Sequence, residues 1–222
     1  MSQIIQSFQK DIQILKNVKL NYLLHVPKDY ETSTQTYPLV LFLHGAGERG
    51  SDIEIVKRNG PPKLAEDHDF PFILVSPQCP LEVERYSNWL LHEEAVMALL
   101  DETISKFRID ESRIYLTGLS MGGYGTWEIG KKHADQFAAI APICGGGSSD
   151  GMEALKDVPV WAFHGAKDDI VPIEESEQLV NELRQKGGNI EFTVYPEAGH
   201  DSWTETYSNP KFFEWLLSHS KK

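Results

Sequence analysis

The sequence predicts an α/β protein with a mainly parallel central sheet and helices on both of its faces. Short apolar runs alternate along the chain with segments of helical spacing, which is the order found in parallel-sheet proteins. Several of these runs are apolar throughout, as a strand covered on both faces requires. The predicted strands are 21–27, 38–45, 70–77, 113–120, 137–146, 158–165 and 189–196.

The helices between these strands are predicted from apolar spacing and from end signals. Apolar residues in 93–107 recur three or four positions apart, which gives a helix with one apolar face. A second helix, 173–186, begins after Pro172 and ends at Gly187, a residue type common after helices. The last helix begins at Asn209, a good N-terminal cap that is followed by proline.

The length of 222 residues predicts one α/β domain that spans 1–222 and has a substantial core. Hydrophobic residues make up 41% of the chain and charged residues 24%, which is usual for a globular protein. The interval between the strands at 137–146 and 158–165 is too short for a lid domain. We therefore expect no separate lid and an open, shallow site.

The charge balance argues against some classes of partner. Lys and Arg number 21 and Asp and Glu number 33, so the formal net charge is −12. Such a surface repels phosphate backbones and anionic membranes, and we expect no nucleic-acid partner. No apolar stretch approaches the roughly 18 residues of a membrane span, and 1–15 lacks the pattern of a signal peptide. We expect no membrane insertion and a cytoplasmic location, and the sequence indicates no oligomeric state.

The two cysteines, Cys79 and Cys144, each follow an apolar, strand-like run. Two cysteines make a poor disulfide framework for a chain of this length, so we interpret both as small buried hydrophobes. Neither has a cysteine or histidine at metal-ligand spacing, and the chain has no dinucleotide-binding or phosphate-binding glycine pattern. The sequence therefore predicts no metal site and no cofactor.

The strongest motif is the run GLSMG at 118–122, between a predicted strand and a glycine-rich helix start. A G-x-S-x-G run at such a junction is typical of the nucleophile elbow of the α/β-hydrolase fold, where the serine hydroxyl projects above the sheet. Gly118 and Gly122 supply the small residues that the crowded backbone needs. The helix start also places free N–H groups beside the serine. We predict that Ser120 is a nucleophile.

A serine nucleophile needs a base, and the base needs a carboxylate that orients it. In the α/β-hydrolase fold these residues follow the chain order Ser, then Asp or Glu, then His. His200 follows the last predicted strand and is the candidate base. Asp168 and Asp169 both follow the strand at 158–165, and spacing alone does not separate them.

Several segments resemble a known family of enzymes. HGAKDDIVP, at 164–172, resembles the acid loop H-G-x-x-D-x-x-V-P of carboxylesterases and dienelactone hydrolases. LHGAGERG (43–50) and GLSMGGYGTW (118–127) are similar to motifs of small esterases and predicted peptidases in the phospholipase/carboxylesterase group of the α/β-hydrolase superfamily. The resemblance covers nearly the whole chain in element order. It implies that Asp168 is the acid and that Asp169 is a solvated turn residue.

An attacked ester carbonyl also needs an oxyanion hole, in which two N–H groups stabilise the developing negative charge. One N–H is expected from Met121, the residue after the nucleophile. The resemblance implies that the other is the N–H of Ala46, in the loop after the first parallel strand. Trp203 follows His200 closely and is our candidate for a substrate-binding contact, whereas Trp127 is expected in the core.

Four other polar residues lie near these motifs. His44 and His164 each precede a glycine at a strand end, where we expect structural hydrogen bonds. Glu48 and Arg49 follow the first loop, where they either form an ion pair that holds the loop or are solvated at the surface.

Together these patterns predict a serine esterase that acts on a small-molecule ester with a short-chain or aromatic acyl group, through an acyl-enzyme. One alternative is a small serine peptidase of the prolyl-oligopeptidase-like type. Amines are poorer leaving groups than alcohols, and the chain has no second domain to select peptides, which makes this alternative weaker. A non-catalytic binding protein on the same fold is a third hypothesis, and transfer of the acyl group to an alcohol instead of water stays open.

Overall fold

The computed structural model describes residues 17–81 and 88–221 of the chain. The expectation that 1–15 carries no targeting signal lies outside this part. Within the described residues, no helix has both the length and the apolar character needed to cross a bilayer.

The described strands form one sheet of seven, in the order β1-β3-β2-β4-β5-β6-β7. Only β1 pairs in the antiparallel direction, with β3, and the other neighbouring strands are parallel. This confirms the predicted, mainly parallel sheet. The strands are β1 Asn21–His25, β2 Tyr37–Leu43, β3 Ile73–Gln78, β4 Ile109–Leu119, β5 Ala139–Ile143, β6 Val160–Gly165 and β7 Ile190–Tyr195.

The three predicted helices are present within a residue or two of their expected ends. The α-helices are α1 Gly60–Leu64, α2 Glu93–Lys106, α3 Met121–Lys132, α4 Glu174–Gln185, α5 Trp203–Ser208 and α6 Pro210–Leu217. Helix α5 was not predicted, because it is short and has no apolar periodicity. Its start is stabilised instead by Asp201, whose carboxylate accepts hydrogen bonds from the backbone N–H and the hydroxyl of Thr204.

Apolar side chains fill the space on both faces of the sheet. Successive residues of β2 alternate between two clusters, with Leu41 in one and Phe42 in the other. Helices α2, α3 and α4 cover the first cluster, which includes the fully buried Trp127, as expected. Helices α5 and α6 cover the second cluster through side chains such as Phe212. The sheet is therefore enclosed on both sides, which explains the uniformly apolar β2.

The carboxyl ends of the parallel strands meet at one edge of the sheet, where proteins of this architecture build their sites. The loops after β2, β4, β6 and β7 carry the predicted site residues to this edge. Only a short 3-10 helix, Met152–Leu155, lies between β5 and β6. No separate lid domain covers the site in the described part of the chain, in agreement with the sequence.

The turn between β4 and α3 is crowded by the end of β2. A Cβ atom on Gly122 would lie 1.8 Å from the carbonyl oxygen of Leu43 and 2.9 Å from that of His44. A Cβ atom on Gly118 would lie 2.4 Å from the carbonyl oxygen of Gly122. Since these neighbours are backbone atoms, they cannot move aside as a flexible side chain would. Both elbow glycines are thus required by close approach of the backbone.

The end of β2 is fixed by His44, whose imidazole is almost fully buried. Its Nδ1 lies 2.6 Å from the carbonyl oxygen of Gly45, and its Nε2 accepts the N–H of Cys79 at 2.9 Å. These partners require the proton on Nδ1, and they confirm the expected structural role. Burial lowers the pKa of His44 to about 4, and the nearby positive charge of Arg49 acts in the same direction. The hydrogen bond to Gly45 opposes this shift. The Glu48 carboxylate lies 4.0 Å from Nδ1.

Substituting Gly122→Ala is expected to lower the free energy of unfolding by about 3 kcal/mol, because the new methyl group overlaps fixed backbone. Gly47→Ala is the matched control, since a Cβ there meets no atom within 4 Å. Chemical denaturation of both variants measures the difference. Equal stability of the Gly122→Ala variant and the wild-type protein would contradict the crowding argument.

His44 is expected to make stability depend on pH. The unfolded chain takes up a proton at this imidazole below about pH 6.5, whereas the folded protein keeps it neutral down to about pH 4. The contribution of His44 to the free energy of unfolding is therefore fully present above pH 6.5, and about 2 kcal/mol of it is lost between pH 7 and pH 5.

Denaturant titrations at the two pH values, on the wild-type protein and on His44→Gln, measure this contribution. The variant should show a smaller loss between pH 7 and pH 5, whatever its absolute stability. An identical loss in both proteins would mean that other groups carry the pH dependence.

Candidate active site

Ser120 lies in a strained turn directly after β4. Its φ is 53° and its ψ is −116°, a combination that is rare for a residue with a side chain. The turn is held because the N–H of Ser120 donates to the carbonyl oxygen of Ile143 at 3.0 Å, and its carbonyl accepts the N–H of Tyr124 at 3.0 Å. The strand-turn-helix geometry predicted from the GLSMG run is thus present.

Side chains from three separate loops meet at this turn. His200 Nε2 lies 2.9 Å from Ser120 Oγ, and His200 Nδ1 lies 2.8 Å from Asp168 Oδ2. Both distances are within hydrogen-bond range. The His200 side chain is 19% exposed and that of Asp168 is fully enclosed. The structure therefore brings together the three residues that the sequence singled out.

The environment of Asp168 keeps its carboxylate ionised. Burial alone raises its pKa, but hydrogen bonds from His200 and from the backbone N–H groups of Val171 and Ile170 outweigh this effect and hold the pKa below its ordinary value. These backbone bonds involve Oδ1, which leaves Oδ2 for His200. Asp169 is exposed, as the resemblance implied.

His164 is a second histidine beside the same carboxylate. Its Nε2 lies 3.2 Å from Asp168 Oδ2 and 2.9 Å from the carbonyl oxygen of Val171, and its Nδ1 lies 2.8 Å from Ser176 Oγ. The side chain is fully buried. The expected structural hydrogen bonds are confirmed, but the contact with Asp168 was missed. Its position four residues before the aspartate was the available signal.

The loop at 44–48, which we call the β2 loop, lies against the Ser120 turn. A Cβ atom on Gly45 would lie 2.8 Å from a methyl carbon of Leu119. Ala46 begins a 3-10 helix and Met121 begins α3, so their N–H groups precede any carbonyl that could accept them within the helix. Arg49 Nε donates to the carbonyl oxygen of Ala46 at 2.9 Å, which ties down the end of the loop.

Glu48 is buried, with only 5% of its surface exposed. Its Oε1 accepts a hydrogen bond from Asn59 Nδ2 at 2.5 Å, and its backbone carbonyl accepts one from Gln78 Nε2 at 2.9 Å. The alternative of a solvated Glu48 is therefore wrong. Sequence reasoning left open an ion pair with Arg49 or a solvated pair, and it missed Asn59 as the partner of this carboxylate because the two residues share no motif.

Trp203 is half-buried beside His200. The two rings meet edge to face, with centroids 5.3 Å apart and planes at 89°. Its indole N–H donates to Asn59 Oδ1 at 3.3 Å. The ring also lines a small cavity of about 140 Å³ that Asn59 and Lys63 share. A contact between Trp203 and substrate stays a prediction.

A larger cavity adjoins the Ser120 turn. It has a volume of about 330 Å³ and is half-open to solvent. Its lining is mostly apolar and consists of Asn88, Trp89, Leu90, Met121, Tyr124 and Gly125. A cavity of about 510 Å³ lies between α6 and residues that precede β3, and it contains none of the predicted site residues.

The donor atoms of Cys144, Asp168 and His200 lie within 4.8 Å of one another. They do not suit a metal ion, because burial raises the pKa of the Cys144 thiol to about 12 and so keeps it protonated. Asp168 and His200 already bond to each other. Cys79 and Cys144 are both buried among apolar side chains, which confirms their interpretation as small hydrophobes.

Comparison with known proteins gives concordant matches. The sequence model of the dienelactone hydrolase family matches residues 80–211, more than half of the chain. The bifunctional acetylxylan esterase/xylanase of Neocallimastix patriciarum is 28% identical over 153 residues, 67% of this chain and 22% of that protein. The probable feruloyl esterase C of Aspergillus terreus is 26% identical over 174 residues, 75% of this chain and 62% of that protein. The chain thus spans less than two thirds of either relative.

Solved structures agree on the fold. A thermostable esterase is 38% identical with a TM-score of 0.77, and the match covers 92% of this chain and 60% of that one. The acylaminoacyl peptidase of Pyrococcus horikoshii has a TM-score of 0.65 at 16% identity, over 90% of this chain and 40% of that one, a likeness that shows the fold alone. With its family match, its sheet order and its strand-turn-helix at Ser120, this chain belongs to the dienelactone hydrolase family and has the α/β-hydrolase fold.

Proposed function

We propose that this protein is a serine carboxylesterase that hydrolyses small esters with short-chain or aromatic acyl groups. The observation that carries the proposal is the continuous hydrogen-bonded line from Ser120 Oγ through His200 to Asp168, with distances of 2.9 and 2.8 Å. This arrangement activates a hydroxyl that is otherwise a weak nucleophile.

In the first half of the reaction, Ser120 Oγ attacks the acyl carbon of the ester while His200 Nε2 takes the hydroxyl proton. Asp168 accepts the Nδ1–H bond, which keeps Nε2 free to act as the base and stabilises the imidazolium. The tetrahedral intermediate then expels the alcohol, which leaves with the proton from His200. The acyl group remains as an ester on Ser120.

In the second half, a water molecule attacks the acyl-enzyme and gives its proton to His200. Collapse of the second tetrahedral intermediate returns the proton to Ser120 and releases the carboxylic acid. The N–H groups of Ala46 and Met121 are the proposed oxyanion donors in both halves. Loss of one such donor typically costs about 3 kcal/mol of barrier stabilisation.

The cavity beside Met121 is the proposed site for the acyl group. Its volume of about 330 Å³ is at the lower end of the range of ligand pockets, which favours a small acyl chain or one ring. The acyl groups in the names of two relatives, acetyl and feruloyl, are of this kind. Trp203, whose ring contacts that of His200, is proposed to contact the alcohol portion. The fold-level likeness to a peptidase does not favour peptide substrates over esters.

The Ser120→Ala variant is expected to lose p-nitrophenyl acetate hydrolysis by at least about a thousandfold, because no other group replaces the nucleophile. Ser105→Ala, on the exposed face of α2, is the control and should keep the wild-type rate. A fluorophosphonate probe should label the wild-type protein but not the Ser120→Ala variant. Unchanged turnover in that variant would refute the mechanism, and comparable turnover of a matching peptide amide would favour a peptidase.

The Leu90→Trp substitution is expected to reduce kcat/KM for p-nitrophenyl butyrate and for a feruloyl ester by about tenfold more than for the acetate, because the larger ring fills the cavity. Leu91→Trp is a matched control, since Leu91 is 56% exposed and does not line the cavity. Steady-state kinetics on the three esters measure the ratio. The same ratio in both variants would place the acyl group elsewhere.

A further inference from the structure

We propose that Asn59 is a positioning residue that joins the β2 loop to the aromatic neighbour of His200. The proposal rests on the proposed function, because the two elements that Asn59 joins carry Ala46 and His200 in that mechanism. Asn59 belongs to neither element, since it directly precedes α1.

The two ends of the Asn59 amide bond to different parts of the site. Its Nδ2 donates to Glu48 Oε1 at 2.5 Å, and its Oδ1 accepts the Trp203 indole N–H at 3.3 Å. The two partners come from distant parts of the sequence, because Glu48 ends the β2 loop and Trp203 begins α5. One side chain therefore bridges the two loops that flank Ser120.

At one end, the bridge holds the β2 loop in place. The Glu48 side chain is buried, and a buried carboxylate is costly unless hydrogen-bond donors satisfy it. Glu48 closes the 3-10 helix that begins at Ala46, so the position of its carboxylate and the direction of the Ala46 N–H are linked. Without Asn59, the carboxylate would move toward water, and the backbone of this short helix would shift with it.

At the other end, the bridge fixes the Trp203 ring. The indole meets the His200 imidazole edge to face at 5.3 Å, so its position limits how far the imidazole can tilt. The imidazole must hold its 2.9 Å contact with Ser120 Oγ for proton transfer. An indole anchored through its N–H therefore contributes to the alignment of the base.

The bridge requires a side chain that can both donate and accept hydrogen bonds, as the Asn59 amide does. A carboxylate can only accept hydrogen bonds, and an indole N–H can only donate. The side chain between them must donate at one end and accept at the other, which also fixes the orientation of the Asn59 amide. Aspartate keeps the size of asparagine but cannot donate when ionised.

The backbone beside Asn59 is well anchored to the core. Gly60 has a φ of +69°, and a Cβ atom on it would lie 2.6 Å from the ring of Phe42. Pro61 and Pro62 follow in the first turn of α1 and restrict the backbone further. The amide thus projects from a rigid point, which is what a positioning residue needs.

The test compares Asn59→Asp with the double variant Glu48→Gln/Asn59→Asp at pH 8. The single variant sets two carboxylates against each other and should lower kcat by about 30-fold, with KM changed by less than about threefold. In the double variant the new amide donates to the new carboxylate, which can still accept from Trp203. It should recover at least about tenfold of the lost kcat. Asn181→Asp, which adds the same charge on the exposed surface of α4, should match the wild-type protein.

A second readout separates this proposal from the proposed function. The rate of Ser120 labelling by a fluorophosphonate needs no substrate, and it should fall in Asn59→Asp and recover in the double variant. If the wild-type protein cleaves no ester, the proposed function fails, while the labelling rates still test Asn59.

Three results would overturn the proposal. These are an unchanged kcat and labelling rate in the folded single variant, a double variant no faster than the single one, and a loss explained entirely by a lower folded fraction. If the single variant does not fold, Asn59→Leu replaces it, with the same expected loss of kcat.

Discussion

The close approach of helix α3 to the end of strand β2 is the constraint on which the rest of the site depends. The Gly122 backbone packs against the carbonyl oxygen of Leu43 with no room for a side chain. This contact brings the first turn of α3 over the sheet and leaves Ser120 in its strained conformation. It also sets the β2 loop beside the N–H of Met121. One contact between backbones thus positions both the serine and its surroundings.

The same device recurs where the other two loops meet. A Cβ atom on Gly165, at the end of β6, would lie 2.1 Å from the carbonyl oxygen of Gly199 and 2.5 Å from that of Ala198. The N–H of Lys167 donates to the carbonyl oxygen of Ala198 at 2.9 Å, so the acid loop and the histidine loop are joined by backbone. The side chains of Ser120, His200 and Asp168 are therefore close enough to hydrogen-bond to one another. Rigid backbone contacts of this kind preorganise a site without strain in the side chains themselves.

Electrostatics around the site depend on pairing rather than on the acidic surface. Asp168 stays ionised because backbone N–H groups and His200 bond to it despite its enclosure. Burial keeps His44 neutral, so the β2 loop carries no imidazolium charge at physiological pH. Glu48, the buried carboxylate of the same loop, is satisfied by the Asn59 amide. The backbone N–H groups of Ala46 and Met121 are the proposed donors to the negative charge that develops on a substrate oxygen.

Sequence alone determined the features that local patterns encode. Apolar runs located the strands, end signals located the helices, and the glycine spacing around Ser120 identified the turn. The chain order of Ser120, an aspartate and His200 followed from the loops after β4, β6 and β7, and the resemblance of 164–172 to a known acid loop selected Asp168 over Asp169. In each case a few neighbouring residues carry the whole signal.

Tertiary structure decided the features that depend on residues far apart in the chain. The burial of Glu48 and the bridge through Asn59 to Trp203 had no pattern of their own in the sequence. Asn59 and Trp203 are 144 positions apart, and only packing of α1 against α5 brings them together. A polar side chain shows its residue type in the sequence, but its role depends on the partners that folding places around it. Local motifs therefore located the proposed catalytic residues, whereas the side chains that hold them in place became visible only in the folded chain.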